Sequence, residues 1–182
     1  MASRRISEKS VYKKYPYVKV VDIVNGKRIE KHFRKNEGPY SVSVLPLLGR
    51  DTVLLVRQYR PAMRGSPFSR SGFIYELPGG HVEKGESVRK AAARELEEEI
   101  GYTAKRIRLL YARAITPWSS DAGDNMFMAE GLVKSSKKLD DDELMETVPF
   151  KADAIVKMLK NGEICDLCSR EGLLYWLAFL KK

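Results

Sequence analysis

The sequence predicts an α/β (α+β) protein in which a mixed β-sheet is sandwiched between helices, with an antiparallel β-hairpin arm at the N-terminus. Three observations carry this. Short runs of β-branched and aromatic residues recur along the chain, one long run of helix formers at 87–100 interrupts them, and two further helical stretches close the sequence. Strands, one helix, more strands and then helices is not the order of a regular βαβ array. The length of 182 residues suits one main core with a small appendage. We therefore divide the chain into an arm, residues 1–38, and a main domain, residues 39–182.

The elements follow in order. Tyr17 to Val24 and Lys27 to Lys35 flank Asn25-Gly26, a dipeptide suited to a type I′ hairpin turn because both central positions need positive φ. This hairpin is basic and only half apolar, so it must pack on the main domain or on another subunit. Tyr40 to Leu48 and Thr52 to Gln58 read as core strands divided by Gly49-Arg50-Asp51. Residues 61–72, with two prolines, two glycines and three serines, read as a loop. Phe73 to Leu77 is a short strand stopped by Pro78-Gly79-Gly80. Ser87 to Ile100 is a helix, with Gly101 placed where a C-terminal left-handed cap favours glycine. Ala104 to Ala114 and Asn125 to Val133 are strands separated by the polar loop Pro117 to Asp124. Lys151 to Lys160 is a helix ended by Asn161-Gly162, and Ser169 is read as the cap of a last helix reaching Leu180.

Composition narrows the function classes. Apolar residues make up 43% and charged residues 31%, which excludes a disordered or fibrous chain. No stretch approaches the roughly 20 apolar residues that span a bilayer. Met1 to Ser10 has no apolar run of the secretory kind, so the expected location is the cytoplasm. The net charge is +9, and residues 1–39 hold eleven Lys or Arg against four Asp or Glu. Without a recognition helix or paired-Cys zinc pattern, that charge reads as a solvated surface, and nucleic acid is not the expected partner. Cys165 and Cys168 form a single Cys-x-x-Cys, too few ligands for structural zinc with only His32 and His81 elsewhere. They read as structural thiols.

Wound at ~100° per residue, the 87–100 helix places Val88, Ala91 and Ala92 on one face, with Glu95 and Glu99 continuing it and Glu98 to one side. The apolar stripe either breaks at these acids or drifts round to Leu96 and Ile100. Carboxylates crowded within little more than a turn repel one another unless a cation lies among them. Oxygen ligands of this kind suit a hard ion such as Mg²⁺.

Gly80, Glu86, Arg94-Glu95, Glu98-Glu99 and Gly101 sit at the spacing G-x5-E-x7-R-E-U-x-E-E-x-G-U, with Leu96 at the first bulky aliphatic position U and Tyr102 departing at the last. Seven fixed residues over 22 positions make a specific signal, and the chain resembles the Nudix hydrolases on it. The resemblance implies the Nudix fold, with the motif forming loop, helix and loop. It implies that Glu95, Glu98 and Glu99 hold divalent metal, Mg²⁺ or Mn²⁺, that Arg94 orients a neighbouring carboxylate, that Glu86 assists the metal, and that Gly79 offers a backbone carbonyl.

Val56 to Arg60 and Glu76-Leu77-Pro78-Gly79-Gly80 are similar to the ADP-ribose and nucleoside-diphosphate-sugar pyrophosphatase branch. That likeness implies substrate contacts for Arg60, Glu76 and Arg57, and a homodimer whose N-terminal strands complete the partner's pocket. An aromatic from the arm, Tyr15, Tyr17 or Phe33, would then stack on the base. The expected reaction is hydrolysis of the diphosphate of ADP-ribose or a related nucleotide sugar. Dinucleoside polyphosphates, NADH or damaged nucleoside triphosphates are the alternatives within the chemistry, and a non-catalytic nucleotide- or RNA-binding module is the alternative outside it. Related enzymes place a catalytic Glu in a loop where this chain has Thr116 to Ala122, and Ala122 stands at that position. Asp121, Asp124 or a motif glutamate such as Glu98 is the replacement base, and Trp118 is a candidate contact to sugar or base.

Overall fold

The computed structural model describes residues 6–15, 18–25, 28–34, 41–117, 122–136 and 145–181, with only the backbone described before residue 35. Strands β1 (Ile6–Tyr15), β2 (Val18–Asn25) and β3 (Arg28–Arg34) form an antiparallel three-stranded sheet of their own. Asn25 pairs with Arg28, so β2 and β3 are hairpin partners as expected, while β1 is a strand that the basic, polar sequence did not announce. The Gly26 half of the expected turn lies outside the described residues.

The main sheet has seven strands. β4 (Ser41–Leu47), β5 (Thr52–Tyr59), β8 (Tyr102–Ala114), β9 (Gly123–Lys134) and β10 (Met145–Lys151) run in the order β10-β5-β4-β9-β8, while β6 (Phe73–Glu76) pairs with β5 and β7 (Gly79–His81) with β4. Among the described strands only β4 and β9 are parallel neighbours, so the sheet is mixed.

Strand parity divides the core in two. Val42 and Val44 of β4, Leu54 and Val56 of β5, and Phe127 and Ala129 of β9 pack against helix α1 (Val88–Ile100) through Ala91, Ala92, Leu96 and Ile100. The alternate residues, Leu45, Leu47, Val53, Leu55, Met126 and Met128, face helices α2 (Ala152–Asn161) and α3 (Leu167–Tyr175), with Trp176 buried at the end of α3. Each fully buried aliphatic side chain here contributes about 1.5–3 kcal/mol, so the pattern fixes register as well as stability. One slip would exchange the two faces.

Two short strands escape a reading by periodicity. β7 consists of Gly79-Gly80-His81, and β10 contains Pro149, which is tolerated because β10 is an edge strand. The last helix also starts earlier than expected. Asp166 is its cap, accepting from the Ser169 N–H at 2.7 Å, and Ser169 sits inside the first turn. Arg170 ties that helix to the end of α2 by donating to the carbonyls of Leu159 and Ile164.

At the other end of α1, Ser87 caps by accepting from Lys90 N–H, and Gly101 ends the helix at φ 71°. A side chain in that left-handed region is strained by about 1–2 kcal/mol. Gly101→Ala is expected to lose about that much stability, read as a lower urea midpoint with an unchanged denaturant slope.

Candidate active site

The site begins with the β6–β7 connection, which is only Leu77-Pro78. Val44 N–H donates to the Pro78 carbonyl, which holds this segment on β4. Gly79 must be glycine, since a Cβ there would stand 2.2 Å from the Val42 carbonyl oxygen. At Gly80 a Cβ would lie 2.3 Å from Glu95 Oε1. The two glycines therefore let a strand backbone run against β4 on one side and against a carboxylate on the other.

α1 then presents its acids to that backbone. Arg94 is the centre of the arrangement. Its Nε and Nη2 donate to the two oxygens of Glu86 at 3.1 Å each, and its Nη1 donates to Glu95 Oε1 at 2.8 Å and to Glu98 Oε2 at 3.0 Å. Nη2 also donates to the His81 carbonyl at 2.9 Å, fastening the end of β7. Glu99 accepts from Gly79 N–H at 2.8 Å. Glu86 further accepts from Glu83 N–H. One loop, one strand and one helix are thus joined by a guanidinium.

The electrostatics follow from this geometry. Hydrogen bonds from Arg94 hold the Glu86 carboxyl below its ordinary value, and the same bonds push Arg94 itself further up. Glu95 is 9% exposed, and burial raises its pKa although Arg94 opposes the shift. Three carboxylates, those of Glu86, Glu95 and Glu98, share one arginine, more negative charge than a single guanidinium balances. Among the described residues no three acidic, His or Cys side chains already converge as a finished coordination sphere. The donor set nevertheless fits a hard divalent ion. It is all oxygen and anionic, one member is desolvated, and Gly80 keeps the flank of Glu95 open.

Three residues upstream of Gly79, Glu76 opens onto a pocket of about 440 Å³ lined by Arg60, Met63, Phe68, Ile74, Cys165 and Asp166, among others. Arg60 Nε donates to Glu76 Oε2 at 2.9 Å. Burial raises the Glu76 pKa, and Arg60 offsets part of that rise. The backbone of 76–79 spans about 10 Å, so pocket and carboxylate cluster are neighbours.

Other expected site residues lie elsewhere. Arg57 stacks over the Phe73 ring at 4.2 Å and faces Glu146 at 3.8 Å, and it does not line the pocket. Asp124 was expected in a loop. It is the second residue of β9, only 2% exposed, and shares the strand parity of Met126 and Met128, on the sheet face away from α1. There it accepts from Ser41 and Ser43 hydroxyls and lies 2.9 Å from Arg113 Nη2, close enough for an ion pair although not aligned as a hydrogen bond. The structure thus sets Asp124 apart from the glutamates because β9 pairing, not turn chemistry, governs Gly123-Asp124. Trp118 and Asp121 lie outside the described residues, as does Tyr17, and nothing is described of the Tyr15 and Phe33 side chains. Cys165 and Cys168 are free thiols whose pKa values burial pushes up, which disfavours reactive thiolate. The contribution of Cys165 and Asp166 to the pocket was missed, since only tertiary packing brings the start of α3 beside β6.

The chain is similar to known proteins. A family model described as the NUDIX domain matches residues 38–163. An ADP-ribose pyrophosphatase of Bacillus subtilis (strain 168) is 32% identical over 161 residues, 87% of this chain and 82% of its own. A methanol dehydrogenase activator of Bacillus methanolicus is 31% identical over 148 residues, covering 80% of this chain and 75% of its own. A crystal structure of an ADP compounds hydrolase superposes with a TM-score of 0.79 over 100% of this chain and 96% of its own, at 21% identity, a likeness of fold. The chain belongs to the Nudix family. It is a Nudix hydrolase with an intact acidic motif.

Buried Glu95 generates a prediction. A carboxyl whose folded pKa is raised favours folding most when protonated, and that contribution is lost as pH rises through the raised value. In chelator, Glu95→Gln is expected to melt at a higher temperature than the unaltered protein at pH 7. The difference should disappear below about pH 4, where the carboxyl is protonated in both folded and unfolded chains. Equal melting curves at pH 7 would show that Arg94 fully offsets the burial.

Proposed function

We propose that the protein hydrolyses the diphosphate linkage of ADP-ribose or a related nucleoside diphosphate sugar, releasing a nucleoside monophosphate and a sugar phosphate. The observation that carries this reading is the Arg94-centred carboxylate cluster joined through Leu77-Pro78 to the Arg60–Glu76 pocket. The names of the Bacillus subtilis relative and of an ADP-sugar pyrophosphatase from Mus musculus, 32% identical over 136 residues, favour the same substrate class.

In this reading Glu95, Glu98 and Glu99 would hold Mg²⁺ or Mn²⁺ with the Gly79 carbonyl, and Glu86 supports them through Arg94. When bound, the metal neutralises diphosphate charge and lowers the pKa of a water it holds. The chain's own residues do the rest. Arg60, aimed by Glu76, takes a substrate phosphate. Hydrolysis forms one bond from water oxygen to phosphorus and breaks the bond to the bridging oxygen, which leaves with the second phosphate. Glu98 is our choice for the group that accepts the water's proton. Its side chain is 35% exposed, against 14% for Glu86 and 11% for Glu95, so it is the more accessible to an attacking water. Asp121 remains a second candidate for that role. The arm of residues 1–38 joins two copies as a homodimer in the cytoplasm.

A panel of ADP-ribose, other nucleotide sugars, NADH, dinucleoside polyphosphates and oxidised nucleoside triphosphates, with Mg²⁺ or Mn²⁺, tests this. AMP release from ADP-ribose is expected, and EDTA should abolish it. Glu98→Gln and Glu99→Gln should each lower kcat about 100-fold or more with folded circular-dichroism spectra. Turnover of no diphosphate, with nucleotide or RNA still bound, would establish the non-catalytic module instead.

A further inference from the structure

α3 makes a second, independent connection to the segment between the pocket and the carboxylates. Ser169 is 1% exposed, and its hydroxyl accepts from Leu77 N–H at 2.8 Å across 92 residues of sequence. The same hydroxyl donates to Asp166 Oδ2 at 2.6 Å. Its proton and its acceptor side are thus both committed, with Asp166 setting the direction. Gly172, one turn along α3, lets the helix lie against Leu77, because a Cβ there would be 2.9 Å from Leu77 Cδ1.

We propose that Ser169 is a positioning residue of the active site, its hydroxyl fixing the Leu77 amide and so the alignment of Glu76 in the pocket with Gly79 at Glu99. Leu77 follows Glu76 directly and precedes Gly79 by two residues. The opposite side of this segment is held by Val44 N–H on the Pro78 carbonyl. With the Ser169 bond removed, the Leu77 amide is left buried without its acceptor, and the segment relieves this by moving. Movement there separates Glu76 from Arg60 and Gly79 from Glu99. Helix α3 does not depend on the hydroxyl for its start, since Asp166 also accepts from the Ser169 backbone N–H.

The inference rests on the proposed diphosphate chemistry. Ser169→Ala is compared with Ser169→Thr, which keeps donor and acceptor, and with Ile155→Val, a buried α2 change on the same sheet face that removes none of these hydrogen bonds. Three quantities are read: KM and kcat for ADP-ribose, Kd for a methylene-bridged analogue by calorimetry, and amide exchange at Gly79. Ser169→Ala is expected to raise KM and Kd about tenfold and to speed Gly79 exchange, while Ser169→Thr stays near the unaltered protein. Ile155→Val should lower Tm and leave KM, Kd and Gly79 exchange unchanged. Should Ser169→Ala fail to fold, Ser169→Cys, a weaker acceptor of similar size, is expected to give the same direction of change. A Ser169 variant that loses Tm with unmoved KM, Kd and Gly79 exchange overturns the assignment. If the unaltered protein neither binds nor hydrolyses a nucleotide sugar, the substrate reading fails by itself, and Gly79 exchange still decides the role of Ser169.

Discussion

The Arg94 guanidinium is the interaction on which the site depends. Its five donors are spent on Glu86, Glu95, Glu98 and the His81 carbonyl, so a single side chain joins the loop before α1, the helix itself and the end of β7. A lysine offers one compact charge and cannot serve these directions at once. In the proposed chemistry, the negative charge that Arg94 leaves unbalanced is what attracts a cation. A fully neutralised cluster would be a stable buried network with little affinity for a cation, whereas an unsupported set of four acids would push α1 from β7.

The two-faced sheet explains how such a charged cluster coexists with a closed core. Parity along β4, β5 and β9 sends one set of side chains to α1 and the other to α2 and α3. On α1, the small Ala91 and Ala92 and the larger Leu96 and Ile100 seat the helix, and Glu95 lies within that buried strip. The apolar stripe therefore drifts toward Leu96 and Ile100 and also carries an acid, so both readings of its pattern are realised. On the far face, Asp124, Arg113 and Glu171 form a separate ionic group holding β8, β9 and α3 together.

Most of the fold was legible from the sequence because its strands alternate or run apolar and its central helix has a serine cap and a glycine stop. The carboxylates were legible for a different reason: Gly80, Glu86 and the Arg94–Glu99 run are held at fixed offsets by one loop and one helix, so sequence spacing is nearly spatial spacing. What escaped depends on long-range pairing. β10 carries a proline that only an edge position permits, and β7 is two glycines and a histidine whose strand character comes entirely from β4. Gly123-Asp124 looks like a turn until its pairing with Ser41 is known. Ser169 meets Leu77 across 92 residues of sequence, a distance at which no local pattern speaks.

Leu77-Pro78, the two-residue link between β6 and β7, is clamped by β4 and by α3. Part of the wall of the neighbouring pocket is built differently. Ala62, Met63 and Phe68 come from the exposed connection after β5, and Phe68 is 69% exposed. An added or deleted residue in the link would shift every acid relative to the glycines, whereas the connection tolerates changes of length and side chain at little structural penalty. The pocket thus has one fixed side, continuous with the carboxylate cluster, and one adaptable side. In the proposed reaction, selectivity for the group attached to the diphosphate can diversify on the second without disturbing the first.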